Sequence, residues 1–221
     1  MFKDKQEEIN IIINTIKKAH NFSGEFDERE FRELYSEFKN VFPLITTIKM
    51  ETGCTKGVLI FPEYGFVIKI PYIYYEDEYL CGSQGDIEWD YCSAEVKYYE
   101  NALQNNVEQC FLPLEQIDVI DNVYGIYIQP IATTYLETEV KNLPLERTKE
   151  SIEKARQICS EKYCVCFNSN WLGDIVSYYG EKMCSELLTF CEVEGIDDLH
   201  NENIGYVDNR PVIIDYGNFD N

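Results

Sequence analysis

Hydrophobic residues near the start of the chain recur at helical spacing. Ile11, Ile12, Ile13 and Ile16 make a broad apolar stripe over residues 4–20. Phe31, Leu34, Tyr35, Phe38 and Phe42 make another behind Asp27, a residue type that caps helix N-termini. Two helices are predicted, forming an N-terminal extension over residues 1–42. The period then shortens. Apolar and β-branched runs at 44–49, 57–61 and 66–70, separated by glycine-containing turns, predict three strands of an antiparallel meander. An acidic, tyrosine-rich stretch at 74–90 has no clean period and reads as an exposed insertion. A helix over 91–105 and two strands at 116–120 and 123–131, joined by the turn pair Asp121-Asn122, complete a group of five strands and one helix. Beyond Thr133 the pattern turns helical, most clearly at 149–162 and 180–193, before a last strand at 211–214. The predicted division is 1–42, 43–132 and 133–221.

Composition narrows the classes of function. The 221 residues carry 19 Lys+Arg against 40 Asp+Glu, a net charge of −21, and 45% are hydrophobic. So much apolar material excludes a disordered acidic tail. So much negative charge disfavours nucleic acid and anionic membranes as direct partners. No apolar run approaches the ~20 residues of a membrane span, and no secretory leader is evident, so a cytoplasmic location is expected. The nine cysteines then read as reduced and mostly as small buried hydrophobes. Cys164 and Cys166 stand one residue apart, no C-x-x-C pair occurs, and the histidines are His20 and His200, which is not zinc spacing.

The chemistry concentrates near the C-terminus. Asp198-Leu199-His200-Asn201-Glu202-Asn203-Ile204 is followed by Val212-Ile213-Ile214-Asp215-Tyr216-Gly217. Asn203 lies five residues after Asp198, and Asp215 twelve after Asn203, with a turn signal at Asp208-Asn209 between them. A hairpin of that length returns Asp215 to the side of Asn203. Two oxygen donors brought together in this way suit magnesium, and a carboxylate five residues upstream suits acceptance of a proton from a hydroxyl. Taken alone, these residue types are also ordinary turn formers.

D-L-H-x-x-N followed by I-I-D-Y-G resembles the catalytic loop and metal motif of the protein-kinase-like superfamily. It is most similar to the aminoglycoside-phosphotransferase style of loop and to small kinase-like proteins of phages and bacterial effectors. The resemblance implies Asp198 as catalytic base and Asn203 and Asp215 as metal ligands, with His200 in place of a lysine and Tyr216 in place of a phenylalanine. Ile196 and Asp197 stand where the family has His-Arg or His-Gly, so the loop is anchored differently. Upstream, Lys69 ends an apolar strand on the face opposite Phe66, Ile68 and Ile70. It resembles the third-strand lysine that contacts ATP phosphates, with Glu95, in a stripe with Tyr91, Tyr99 and Leu103, as its partner. Gly53 and Gly57, with Lys56 between them, occupy the place of the glycine-rich loop, although a plain hairpin turn explains them equally. Gln129 and Ile131 fall at the adenine-binding hinge, where Pro130 removes one donor.

The expectation is therefore an α+β, two-lobed kinase-like fold with a five-stranded antiparallel N-lobe sheet and a truncated helical C-lobe. The implied activity is ATP- and magnesium-dependent phosphoryl transfer, as a minimal protein kinase with a protein substrate or partner, in the cytoplasm, that of the host cell if the chain is phage-encoded. Two alternatives stand beside it: a pseudokinase or interaction module that transfers nothing, and an acidic decoy that captures a basic nucleic-acid-binding protein.

Overall fold

The isoleucines of the first helix sort themselves by the 3.6-residue period. In the computed structural model, which describes residues 2–19, 26–41, 47–72, 90–120, 124–141, 147–160, 168–197 and 199–217, α1 runs Gln6–Ala19. It buries Ile9, Ile12, Ile13 and Ile16, while Ile11 lies 44% exposed on the far side. Helix α2, Glu28–Val41, starts at a reciprocal cap. Glu30 N–H donates to Asp27 Oδ1 (3.2 Å) and Asp27 N–H to Glu30 Oε2 (3.2 Å). The proton balance of that pair is uneven: the hydrogen bond with Asp27 holds the Glu30 carboxyl down at about 2, and Asp27 is raised. Phe31, Leu34 and Phe38 are buried, and Tyr35 donates its hydroxyl to Ile48 O (2.9 Å). Phe42 lies outside the described residues.

Five strands form one antiparallel sheet: β1 Lys49–Thr52, β2 Lys56–Phe61, β3 Phe66–Pro71, β4 Glu115–Ile120 and β5 Tyr124–Pro130, in the order β1-β2-β3-β5-β4. The fold class is α+β. The strand expected at 44–49 begins only at Lys49, and residues 42–46 lie outside the described residues. Register fixes the two faces. Val58 pairs with Lys69, and Lys69 with Tyr127, so Lys56, Val58, Val67, Lys69, Gly125, Tyr127 and Gln129 share one face. The other face carries Gly57, Leu59, Phe61, Phe66, Ile68, Ile70, Ile126 and Ile128. All of these except Gly57 join one hydrophobic core with the buried residues of α1 and α2. The predicted extension over 1–42 is thus the cover of one sheet face. Helix α3, Tyr91–Gln104, sets Cys92 and Val96 against Tyr127 and Leu114 on the opposite face.

Contacts divide the chain into two compact units, Met1–Val96 with Leu114–Ile131, and Lys97–Pro113 with Ala132–Asn221. The boundary falls within α3. The second unit contains α4 Tyr135–Lys141, α5 Lys149–Ser160, α6 Ser169–Tyr179 and α7 Glu181–Glu194. It also contains a three-stranded antiparallel sheet of β6 Thr133–Thr134, β7 Ile204–Val207 and β8 Arg210–Ile213. The β7–β8 turn needs two left-handed residues, and Asp208 (φ 51°) and Asn209 (φ 64°) supply them. Helix α7 stops at Gly195 (φ 69°), after which Ile196 N–H donates to Cys191 O (2.8 Å).

Cys92, Cys110, Cys184 and Cys191 are buried, Cys54 is exposed, and Cys164 and Cys166 lie outside the described residues. Burial pushes the Cys110 and Cys184 thiols up to about 12. Among the described residues no helix is long and apolar enough to cross a membrane.

Candidate functional site

In the first unit the sheet presents two lysines to one carboxylate. Lys69 Nζ lies 2.8 Å from Glu95 Oε2, and Lys56 Nζ lies 2.6 Å from Glu95 Oε1. All three are buried, Glu95 completely. A charge out of water persists only when paired and hydrogen-bonded, so this is a built arrangement. Lys69–Glu95 is the pair the sequence anticipates. Its setting on α3 differs: the buried stripe is Cys92, Glu95, Tyr98 and Ala102, while Leu103 is 50% exposed.

Sequence reasoning placed Lys56 in the turn between the first two strands, as a loop residue that could face phosphate or belong to a plain hairpin, and did not pair it with Glu95. Lys56 opens β2, and the signal was available. The alternation Lys56, Val58, Ile60 puts it on the face that Val58 shares with Lys69.

The N-terminus of α3 is fastened beside this cluster. Asp90 caps it, accepting from Cys92 N–H (2.9 Å) and Ser93 N–H (3.1 Å), and also accepts the Tyr127 hydroxyl. Burial raises the Asp90 carboxyl against the lowering effect of these bonds. Tyr127 is raised by burial and by the Asp90 charge, and Cys92 by burial. Tyr127 depends on its neighbour: a Cβ at Gly125 would sit 2.2 Å from the ring.

The other residues predicted to touch nucleotide have partners within the unit. Gly53 N–H donates to Lys56 O (3.0 Å), closing a tight turn. Gly57 belongs to β2 and not to a loop, and a Cβ there would lie 2.4 Å from the Phe31 ring. That glycine exists for packing under α2. Ile131 N–H donates to Gly65 O (3.1 Å), so this hinge donor is engaged. Gln129 is fully buried on the face of Lys69 and Tyr127.

In the second unit the hairpin of β7 and β8 does what its spacing predicts. Ile214 N–H (2.7 Å) and Asp215 N–H (3.2 Å) both donate to Asn203 O, and Asn203 N–H donates to His200 O (3.0 Å). Both side chains are half-buried. Their amide and carboxylate oxygens are hard donors suited to magnesium. Asp198 lies outside the described residues. Its neighbour Leu199 is buried, and Leu199 N–H donates to Asp197 O (3.0 Å). His200 accepts Glu202 N–H at Nδ1 (3.2 Å). Tyr216 is a buried anchor, its hydroxyl on Leu112 O (2.8 Å) and its ring edge-on to Phe111 (5.1 Å). Among the described residues no cluster of three His, Cys, Asp or Glu forms a metal cage.

No protein-family model matches the chain, and a search of curated proteins finds no match either. The functional reading therefore rests on these two groups of residues.

Proposed function

We propose that the chain is an ATP- and magnesium-dependent phosphotransferase of two-lobed, protein-kinase-like fold, a minimal protein kinase that passes the γ-phosphoryl group to a hydroxyl. The observation that carries this reading is the buried pair of Lys69 on β3 and Glu95 on α3, 2.8 Å apart. A sheet lysine held by a helix carboxylate is the arrangement by which kinases fix a cation for the α- and β-phosphates. The Asn203 and Asp215 hairpin supports it from the second unit. Lys69 offsets phosphate charge, Glu95 holds Lys69 in place, and Asn203 and Asp215 are the residues that would hold magnesium, which neutralises phosphate oxygens when bound. The acceptor oxygen forms a bond to the γ-phosphorus, the bridge to ADP breaks, and the hydroxyl proton passes to the Asp198 carboxylate.

The test is binding before turnover. Magnesium–ATP at a hundredfold its Kd raises stability by about 2.7 kcal/mol, visible as a higher melting temperature. Lys69→Met abolishes that rise. Asp215→Asn removes the part that depends on magnesium. A wild-type melt indifferent to magnesium–ATP contradicts the proposal.

One set of observations favours a second reading, an interaction module that transfers nothing. The Gly53 and Ile131 amides, which resemblance assigns to nucleotide, donate inside their own unit. On that reading Lys56, Glu95 and Lys69 fasten α3 to the sheet and nothing more, and no nucleotide shifts the melt.

A further inference from the structure

The segment 196–206 lacks the family's usual anchor, because Ile196 and Asp197 stand in place of His-Arg or His-Gly. Another element supplies polar contacts to it. Asn168, Trp171 and Asp174 follow one another at three-residue spacing, as the N-cap and one face of α6. Asn168 Nδ2 donates to Asn201 Oδ1 (2.8 Å), Trp171 Nε1 to Gly205 O (3.4 Å), and the Tyr206 hydroxyl to Asp174 Oδ2 (2.6 Å). The three contacts fall on both sides of Asn203.

Asp174 is itself fixed. It is 4% exposed and receives Arg147 in a fork, Nε to Oδ1 at 3.1 Å and Nη2 to Oδ2 at 2.9 Å. This bidentate geometry is what keeps a buried carboxylate oriented. From the other side β7 is pressed onto β6, where a Cβ at Gly205 would stand 2.3 Å from Thr133 O. Because Asn203 O receives the Ile214 and Asp215 amides, a shift of the loop moves both oxygen donors together.

We propose that α6 is the positioning element of the metal site, Asn168 and Asp174 setting Asn203, and through it Asp215, for a divalent cation on a nucleotide. This deepens the phosphotransferase reading and rests on it. A helix that only stabilised its unit would leave the two oxygen donors in register whenever the chain stayed folded. A positioning helix gives local looseness and selective loss of metal.

The experiment uses the full chain with Tyr206→Phe, which deletes one hydroxyl, and Asn168→Ser, which keeps a capping oxygen but is too short to reach Asn201. Asp174→Asn is the harsher variant. Hydrogen exchange is followed over 199–206 and 212–217, and calorimetry measures ATP with and without manganese. Expected are faster exchange at the Ile214 and Asp215 amides and a manganese–ATP affinity lower by about tenfold to a hundredfold, with metal-free ATP affinity unchanged. Unchanged exchange and manganese affinity in folded variants overturns the proposal, and so does an equal loss of both affinities. If wild-type ATP binding gains nothing from manganese, the phosphotransferase reading fails and the metal-positioning role with it. Exchange separates that failure from failure of the anchoring, since faster exchange in the variants still reports a loop held by α6.

Discussion

The two units hold their candidate functional groups by different physics. In the first, Lys56, Glu95 and Lys69 are fixed by charge in a buried setting, with ammonium-to-carboxylate distances of 2.6 and 2.8 Å. In the second, Asn203 and Asp215 are fixed through the main chain, two amides sharing one carbonyl, and their side chains are half-buried. A buried charge cluster couples fold and chemistry, since loss of any member leaves the others without their balance. A hairpin separates them, because backbone hydrogen bonds survive a change of side chain. On the proposed reading, function and stability are therefore separable at Asn203 and Asp215, and entangled at Glu95.

The largest effect that tests this contrast is Glu95→Ala. Deleting the carboxylate shared by two buried ammoniums costs about 3–5 kcal/mol in urea unfolding, and a loss below about 1 kcal/mol would show the cluster to be solvated. At Asp215 the expectation is reversed. Asp215→Asn changes stability by no more than about 0.5 kcal/mol yet lowers phosphoryl transfer by about 10²-fold, measured on the same preparation. A smaller effect separates Gly53 of the first turn from Gly57 of β2. Gly57→Ala drives a methyl against Phe31 and costs about 1–3 kcal/mol, whereas at Gly53 a Cβ meets only Lys56 O, at 3.7 Å, and Gly53→Ala stays within about 0.5 kcal/mol. Equal effects would return Gly57 to the role of loop glycine.

The subtlest expectation is a pH dependence. Burial raises the Asp90 carboxyl above its ordinary 3.8, so the folded chain binds that proton more tightly than the unfolded chain does. The Asp90 contribution to stability is then fullest below 3.8 and declines as pH rises through the folded value. Asp90→Asn keeps the capping oxygen and removes the charge, its amide N–H facing the Tyr127 oxygen in place of the second carboxylate oxygen. Its stability relative to wild type should rise with pH across that window, and a flat difference would place Asp90 in water.

Much of this was legible in the sequence wherever local pattern and burial agree. The D-x-x-E cap of α2, the apolar alternation of β2 and β3, and the Asp208-Asn209 turn each follow from residues close in the chain. The pairing of Lys69 with Glu95 was legible because a lysine in a buried strand requires an anion. Helix α6 falls in the stretch read as helical beyond Thr133 but was not among its clearest segments, for a physical reason. Its buried face carries Asp174 beside Trp171, Leu172, Ile175 and Val176, and a buried carboxylate breaks the apolar stripe by which helices are recognised. The partner that makes such a residue tolerable, Arg147, lies 27 positions away. The pairing of Lys56 escaped likewise, its carboxylate being 39 positions distant. Ile11 and Leu103 failed differently, since crowded apolar positions do not reveal which of them face water.

The measurement that bears most directly on the central claim is transfer of labelled γ-phosphate from ATP with magnesium, using the chain itself and dephosphorylated casein as acceptors. Wild type is compared with Asp198→Ala and Asp215→Ala, each checked for folding. Magnesium-dependent labelling by wild type that disappears in both folded variants is the predicted result. Labelling that persists undiminished in both, or its absence from wild type, would contradict the account.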